Sequence, residues 1–363
     1  MNRIRKTRLK WLLLSGLLLF GLTATQAPDC GGRLDRDRDG VTDAEDNCPD
    51  RANPDQANAD ADTFGDACDN CPSRRNDDQG DRDHDGIGDA CDPCPNDPGT
   101  DSCDLPGIIT IMSANLSSGN NAAYETPGIR ILQGLSPDIV LIQEFNYRQG
   151  SLRDLVDLAL GPEYDYFVEG GNERIPNGVI SRYPIVAAGE WNDAEVPDRD
   201  FAWAVIDIPG TIDLQVVSVH FKGDSSSAGR RNNEARALED DISRYFDDNA
   251  YIVVGGDLNL QNTSESALNT LRGFLSVDRH VPRDQRGDRD TNEPRNKPYD
   301  WVIPNDLLDD THTPLTIGTD TFPDGLVFDS AVYPDPPSPI QSGDSHVAGM
   351  QHMAVMKAFE VAP

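Results

Sequence analysis

The chain has 363 residues, 63 of them acidic and 31 basic, for a formal net charge of −32. Hydrophobic residues make up 37%, enough for a packed core over part of the chain, and the length suits two or more units. Such acidity excludes a protein that grips nucleic acid or anionic membrane by bulk charge. It does not exclude an enzyme that neutralises phosphate locally with a divalent cation.

Charge divides the chain into three parts. Residues 1–27 carry five basic side chains and no acid. Residues 28–104 carry 23 acids against seven bases and hold all seven cysteines. Residues 105–363 carry 40 acids, 19 bases and no cysteine.

Arg3, Arg5, Lys6, Arg8 and Lys10 precede a twelve-residue apolar run, 11–22, and then the small-residue stretch ending Thr25-Gln26-Ala27. This is the layout of a cleaved secretory signal over 1–27. The run is shorter than the roughly 20 residues that span a bilayer. Export, to an extracellular, periplasmic or cell-surface location, implies an oxidising compartment.

Residues 33–103 repeat with a period of 23. Oxygen-bearing side chains recur at relative positions 1, 3, 5, 9 and 12. They are Asp35, Asp37, Asp39, Asp43 and Asp46; then Asn58, Asp60, Asp62, Asp66 and Asp69; then Asp81, Asp83, Asp85, Asp89 and Asp92. Gly40 and Gly86 stand at position 6, and Thr63 in the second copy. This is calcium-loop spacing, hard oxygens around a flexible cation. The flanks are Asn-Cys-Pro and Ala-Cys-Asp rather than amphipathic helices, which argues against an EF-hand. With almost no apolar residues, the segment has no core and depends on metal and cross-links. The alternative is a solvated acidic linker.

Asp-x-Asp-x-Asp-Gly, Asp-Asn-Cys-Pro, Asn-Pro-Asp-Gln and Gly-Asp-Ala-Cys-Asp together resemble thrombospondin type 3 repeats. The resemblance implies calcium wrapped by chain and disulfides Cys48–Cys68, Cys71–Cys91 and Cys94–Cys103, leaving Cys30 odd. It also implies contact with a cell surface or matrix.

From 107 to 363 strands and helices alternate. The pattern predicts strands at 108–114 and 138–143, with a helix at 128–135 between them. Strands follow at 200–208 and 213–220, then a helix at 228–246. A buried strand at 251–256, a helix at 264–275, and strands at 299–303 and 353–361 complete the series. That mix predicts a layered α/β domain, long enough for two packed sheets. Polar residues sit at the strand ends: Asn115, Glu144, His220, Asp257, Asn259, Asp300 and His352. Each alone reads as a turn former, an edge residue or a satisfied core histidine. Together they could converge on one mouth.

Ser113-Ala-Asn115, Ile142-Gln-Glu144, Asn177-Gly-Val-Ile-Ser-Arg-Tyr-Pro-Ile185, Val219-His220-Phe-Lys222, Gly256-Asp257-Leu-Asn259, Tyr299-Asp300-Trp-Val and His352-Met-Ala-Val occur in this order. Together they resemble the endonuclease/exonuclease/phosphatase superfamily, over 107–363. The resemblance implies a four-layer α/β sandwich of two mixed sheets flanked by helices. It also implies magnesium or manganese, and phosphodiester hydrolysis. Glu144 and Asn115 would hold the metal. Asp257 would orient or deprotonate water, and Asn259 would donate to phosphoryl oxygens. His352, held by Asp300, and His220 would serve phosphate and leaving group. The family's usual acidic neighbour of the last histidine is here Gln351, and Asp344 is a candidate substitute. Arg279, Arg283, Arg286, Arg289, Arg295 and Lys297 form the candidate phosphate-facing loop, against the plain reading of a solvated one.

The expectation is a secreted metal-dependent phosphodiesterase acting on nucleic acid. The alternatives are a sphingomyelinase-like lipid phosphodiesterase, a phosphomonoesterase, or a calcium-dependent adhesion protein with an inactive domain.

Overall fold

A computed structural model describes residues 34–81, 86–88, 90–91, 107–119, 122–170 and 173–361. The signal segment, Cys30, Asp83, Asp85, Asp89, Asp92, Cys94 and Cys103 lie outside the described residues. The chain forms two compact units.

In the first unit, side chains rather than secondary structure satisfy the backbone. The bonding repeats with the sequence. Asn47 N donates to Gln56 Oε1 (2.9 Å) and Asn53 Nδ2 to Asn47 Oδ1 (2.7 Å). One period later Asn70 N donates to Gln79 Oε1 (3.0 Å) and Asn76 Nδ2 to Asn70 Oδ1 (2.6 Å). Each asparagine pair sits where only glycine fits opposite. A Cβ on Gly65 would lie 2.3 Å from Asn47 Oδ1, and one on Gly88 2.4 Å from Asn70 Oδ1. Disulfides join Cys48 to Cys68 and Cys71 to Cys91. Cys48 and Cys71 are buried and supply what apolar centre these turns have.

The second unit runs β1 (Gly107–Ala114), α1 (Thr126–Leu135), β2 (Ile139–Ile142), α2 (Leu152–Ala159), β3 (Asp165–Val168), β4 (Gly178–Ser181), β5 (Ile185–Trp191), β6 (Phe201–Ile206), β7 (Leu214–His220), α3 (Ala228–Tyr245), β8 (Tyr251–Asp257), α4 (Ser266–Leu271), β9 (Asp300–Pro304), α5 (Asp306–Asp309), β10 (His312–Thr313), β11 (Leu315–Ile317), β12 (Asp320–Phe322), β13 (Leu326–Phe328) and β14 (Ala354–Val361). One sheet is ordered β10-β14-β1-β2-β4-β3, with β13 also on β14; the other is ordered β5-β6-β7-β8-β9. β1–β2 and β7–β8 are parallel, and the other pairs within the two sheets antiparallel.

Period-two alternation sorts the strand residues into layers. Ile109, Ile111, Ile139, Leu141, Val216 and Val253 meet between the sheets. Met112, Val140 and Ile142 face outward under α1 and α2 with Ile131, Leu132 and Leu155. Val217, Val219 and Val254 face α3 and α4 through Leu238, Ile242 and Leu268. Central strands covered on both faces read as unbroken apolar runs, which is why 139–142 was legible as a strand. The result is the expected four-layer α/β sandwich. The helix expected over 264–275 closes after Leu271, and helix α2 and strands β3 to β5 and β10 to β13 add to the sequence reading.

Candidate active site

Strand direction gathers the polar residues. β1, β2, β7 and β8 run toward one edge of the sandwich, and Asn115, Glu144, His220 and Asp257 lie at or just past their ends. β9 and β14 start there, with Asp300 opposite Asp257 and His352 two residues before β14. β7 and β8 end in register, His220 beside Asp257. The backbone is strained at the two points where it turns to present these groups. Glu144 (φ 53°) and Asn259 (φ 51°) hold left-handed conformations that cost a non-glycine residue on the order of 1 kcal/mol. Gly256 has φ 144°, and a Cβ there would lie 1.9 Å from Val219 O, so β7 and β8 close on each other only with glycine at 256.

Asp257 is the hub. Its Oδ2 lies 3.2 Å from His220 Nε2, 3.0 Å from Asn259 Nδ2, 3.3 Å from Asn115 Nδ2 and 3.6 Å from His352 Nε2. Its Oδ1 accepts from Asn259 N (2.8 Å). Burial alone would raise this carboxyl. The charges of His352 and His220 and the His220 hydrogen bond outweigh it and hold Asp257 down to about 2. His352 Nδ1 is 3.0 Å from Asp300 Oδ2. Burial disfavours the imidazolium, but Asp300 and Asp257 on its two sides overcome that and push His352 up to about 10. The site is therefore an ionised carboxylate between a protonated and a second imidazole, largely buried at the edge of the sandwich.

Asp257, Asp300 and His352 lie close enough to share an ion, yet they are a poor metal set. His352 Nδ1 is committed to Asp300, while Nε2 lies 3.6 Å from Asp257 Oδ2 and 3.4 Å from Asn115 Nδ2; protonated between two carboxylates, the ring has no lone pair to give a metal. Glu144 and Asn115 fit better. Glu144 Oε2 accepts from Ser117 Oγ, and a carboxylate has further acceptor positions. Asn115 turns Nδ2 to Asp257, which leaves its amide oxygen for another partner. A carboxylate and an amide oxygen beside an anion-rich pocket suit a hard, hydrated divalent cation.

Several sequence candidates lie elsewhere. Asp344 is buried in an ion pair with Arg130 and accepts from Gln341 N (2.8 Å), so it does not replace the missing acid. Gln351 is exposed and its carbonyl accepts from Glu293 N (2.8 Å). Two of the six basic residues of the loop are neutralised within the fold. Arg279 pairs with Asp309 and Asp310, and Arg295 with Asp284, Asp288 and Asp329. Lys297 stands over Tyr299, whose ring lies 5.6 Å from His352. Sequence reading missed Ser117, Thr291, whose Oγ1 accepts from Asp300 N (2.7 Å), and Arg199, whose Nε donates to His220 O (2.6 Å). None sits in a motif; only the fold shows what they hold.

In the first unit, carboxylates of Asp35, Asp37 and Asp39 group together, as do those of Asp60, Asp62 and Asp69. Asp37 Oδ2, Asp60 Oδ2 and Asp69 Oδ2 are buried without a donor, which fits a cation and costs free energy without one. Asp43, Asp46, Asn58 and Asp66 each accept a backbone N–H through one side-chain oxygen. Asp81 Oδ2 accepts from Gly86 N (3.1 Å), as Asp35 Oδ2 does from Gly40 N (3.3 Å).

Residues 112–337 match the model of the Endonuclease/Exonuclease/phosphatase family, and residues 30–56 the thrombospondin type 3 repeat. No curated protein matches the chain in sequence. Among solved structures, an endonuclease/exonuclease/phosphatase from Beutenbergia cavernae DSM 12333 is similar at 14% identity and TM-score 0.49, covering 70% of this chain and 72% of that one. Truncated Caenorhabditis elegans TDP2 is similar at 14% identity and TM-score 0.48, covering 71% and 100%. D. rerio TDP2 complexed with single strand DNA product is similar at 13% identity and TM-score 0.48, covering 69% and 98%. The family match spans well over half of the chain, and the chain belongs to the endonuclease/exonuclease/phosphatase family.

Proposed function

We propose that this chain is an exported, divalent-metal-dependent phosphodiesterase that cleaves nucleic acid, preceded by a calcium-binding repeat segment. The observation that carries the reading is the crowding of His220, His352, Asn259 and Asn115 around the single carboxylate of Asp257. So many donors turned on one buried acid suit an anionic substrate approached by an oriented nucleophile, and no packing requirement asks for them. Export is supported by the basic-then-apolar start and by the two disulfides.

Glu144 and Asn115 would hold magnesium or manganese, which neutralises phosphate charge as it builds in the transition state. Asp257 is held too acidic to keep a proton near neutral pH, so its part is to orient the attacking water and fix both histidines. Asn259 spends Nδ2 on Asp257 and on Phe221 O (3.0 Å). It is accordingly a positioning residue for Asp257, rather than the donor to phosphoryl oxygens that the family resemblance suggests. His352, kept protonated by Asp300, donates to a phosphate oxygen. His220 offers its proton to the leaving oxygen, held in place by Arg199 on its carbonyl.

The test is purified full-length protein with magnesium against DNA, RNA, sphingomyelin and a chromogenic phosphodiester. The reading expects cleavage of nucleic acid and of the chromogenic ester, abolished by chelation. Turnover of sphingomyelin alone would make it a lipid phosphodiesterase. No turnover of any of them would leave the family fold without this activity.

A further inference from the structure

The edge that carries Glu144 and His220 also carries a second polar cluster. Glu169 follows β3, Asn177 precedes β4 and Asp200 precedes β6. Glu169 N donates to Asn177 O (3.1 Å), and Asn177 Nδ2 donates to Asp200 O (2.7 Å). Next to Asn177, Pro176 O accepts from Phe145 N (2.9 Å), one residue past Glu144.

The buried side-chain acceptors of this cluster close no hydrogen bond, although amides of Asn177 and Asp200 lie near Glu169. Neither oxygen of the Glu169 carboxylate, nor Asn177 Oδ1, meets a hydrogen-bond donor among the described residues. Glu169 is 6% exposed and Asn177 fully buried. Burial is the dominant influence on Glu169 and pushes it up to about 8, although the nearby amides of Asn177 and Asp200 favour the charged form. The surroundings are acidic: Glu173 stands among Asp200, Asp198 and Glu190. The nearby cations are committed, Arg174 to Asp198 (3.1 Å) and Arg199 to Asp198 (3.2 Å) and His220 O. Leaving a buried carboxylate and a buried amide oxygen both unmatched is unfavourable. A ligand that brings positive charge meets both.

We propose that Glu169 and Asn177 form a divalent-cation site, separate from the pair Glu144 and Asn115 and from the aspartate loops of the repeats. A carboxylate, an amide oxygen and water are the hard ligands that calcium and manganese accept. An ion there ties the chain after β3 to the start of β4, at the rim of the active-site mouth. The site stands whether or not the chain cleaves nucleic acid. The competing state is a neutral Glu169 that donates its own proton to Asn177 Oδ1.

Crystals of the full chain grown at saturating manganese separate the two. The anomalous map is expected to show a peak about 2.0–2.6 Å from Glu169 and Asn177 oxygens, absent in Glu169→Gln crystals grown alike. Equilibrium dialysis of manganese should count one ion fewer in the variant. An empty position in the wild-type map overturns the site, as does a peak that survives in Glu169→Gln. If the variant does not fold, the wild-type map alone decides.

Discussion

His352 Nδ1 lies 3.0 Å from Asp300 Oδ2, and the ring's other nitrogen looks toward Asp257 Oδ2 at 3.6 Å. One imidazole bridges two carboxylates from adjacent antiparallel strands, and this fixes both its orientation and its charge. Asp300→Asn removes the charge that keeps the ring protonated while leaving its shape. Turnover with magnesium should fall by about 10²-fold or more, with KM changed far less. Near-wild-type turnover would mean that His352 needs no partner.

Lys357 is an anomaly of the sheet interior. It falls in the register of Val355, Phe359 and Val361, which face the opposite sheet, and is 2% exposed. Burial pulls its amine down to about 8, despite the opposing charges of Asp309 and Asp324. The folded state thus binds fewer protons than the unfolded one between about pH 8 and 10.4, so stability from this group rises with pH across that window. Lys357→Met should be more stable than wild type at pH 7, by roughly 3 kcal/mol, and the gap should close as pH approaches 10. Thermal melts of both proteins at pH 7 and 9.5 check this, and a gap that widens with pH would contradict it.

The repeat segment has buried carboxylate oxygens with no donor at Asp37, Asp60 and Asp69, and its described residues are held by turns, side-chain hydrogen bonds and two disulfides rather than by an apolar core. Chelating calcium should melt residues 34–91 while the sandwich keeps its own transition, because metal binding is folding energy where no core exists. Calorimetry with and without a calcium-selective chelator distinguishes this from a single joint transition, which would tie the sandwich to the repeats.

Gln351 is exposed beside His352. Gln351→Asp adds negative charge near an anionic substrate, screened by solvent. Magnesium-dependent turnover should stay within about threefold of wild type or fall. A rise of tenfold or more would show that the amide cripples the natural enzyme.

The sequence disclosed the sandwich at 139–142 and 251–256, strands buried on both faces and apolar without interruption. It missed β3, β5 and β10 to β12, which are partly exposed, and also β4 and β13, which are fully buried but only four and three residues long. The catalytic candidates were legible because carboxylates, amides and imidazoles at the ends of buried strands have no packing reason to be there. Ser117, Thr291 and Arg199 were not, since each acts through hydrogen bonds to atoms that only the fold brings near. The basic loop misled for a related reason. Arg279 and Arg295 find their acids only through the fold, at Asp309 and Asp329.

Asp257 is the residue on which the proposed activity most depends. Magnesium-dependent hydrolysis of the chromogenic phosphodiester, measured side by side for wild type and Asp257→Ala, tests it directly. The variant should keep the wild-type circular dichroism spectrum and a cooperative melt, since the residue sits at a strand end. It should lose activity by about 10³-fold or more, a change of roughly 4 kcal/mol in transition-state stabilisation. A folded Asp257→Ala protein that turns over within about tenfold of wild type would contradict the assignment of this cluster as the active site.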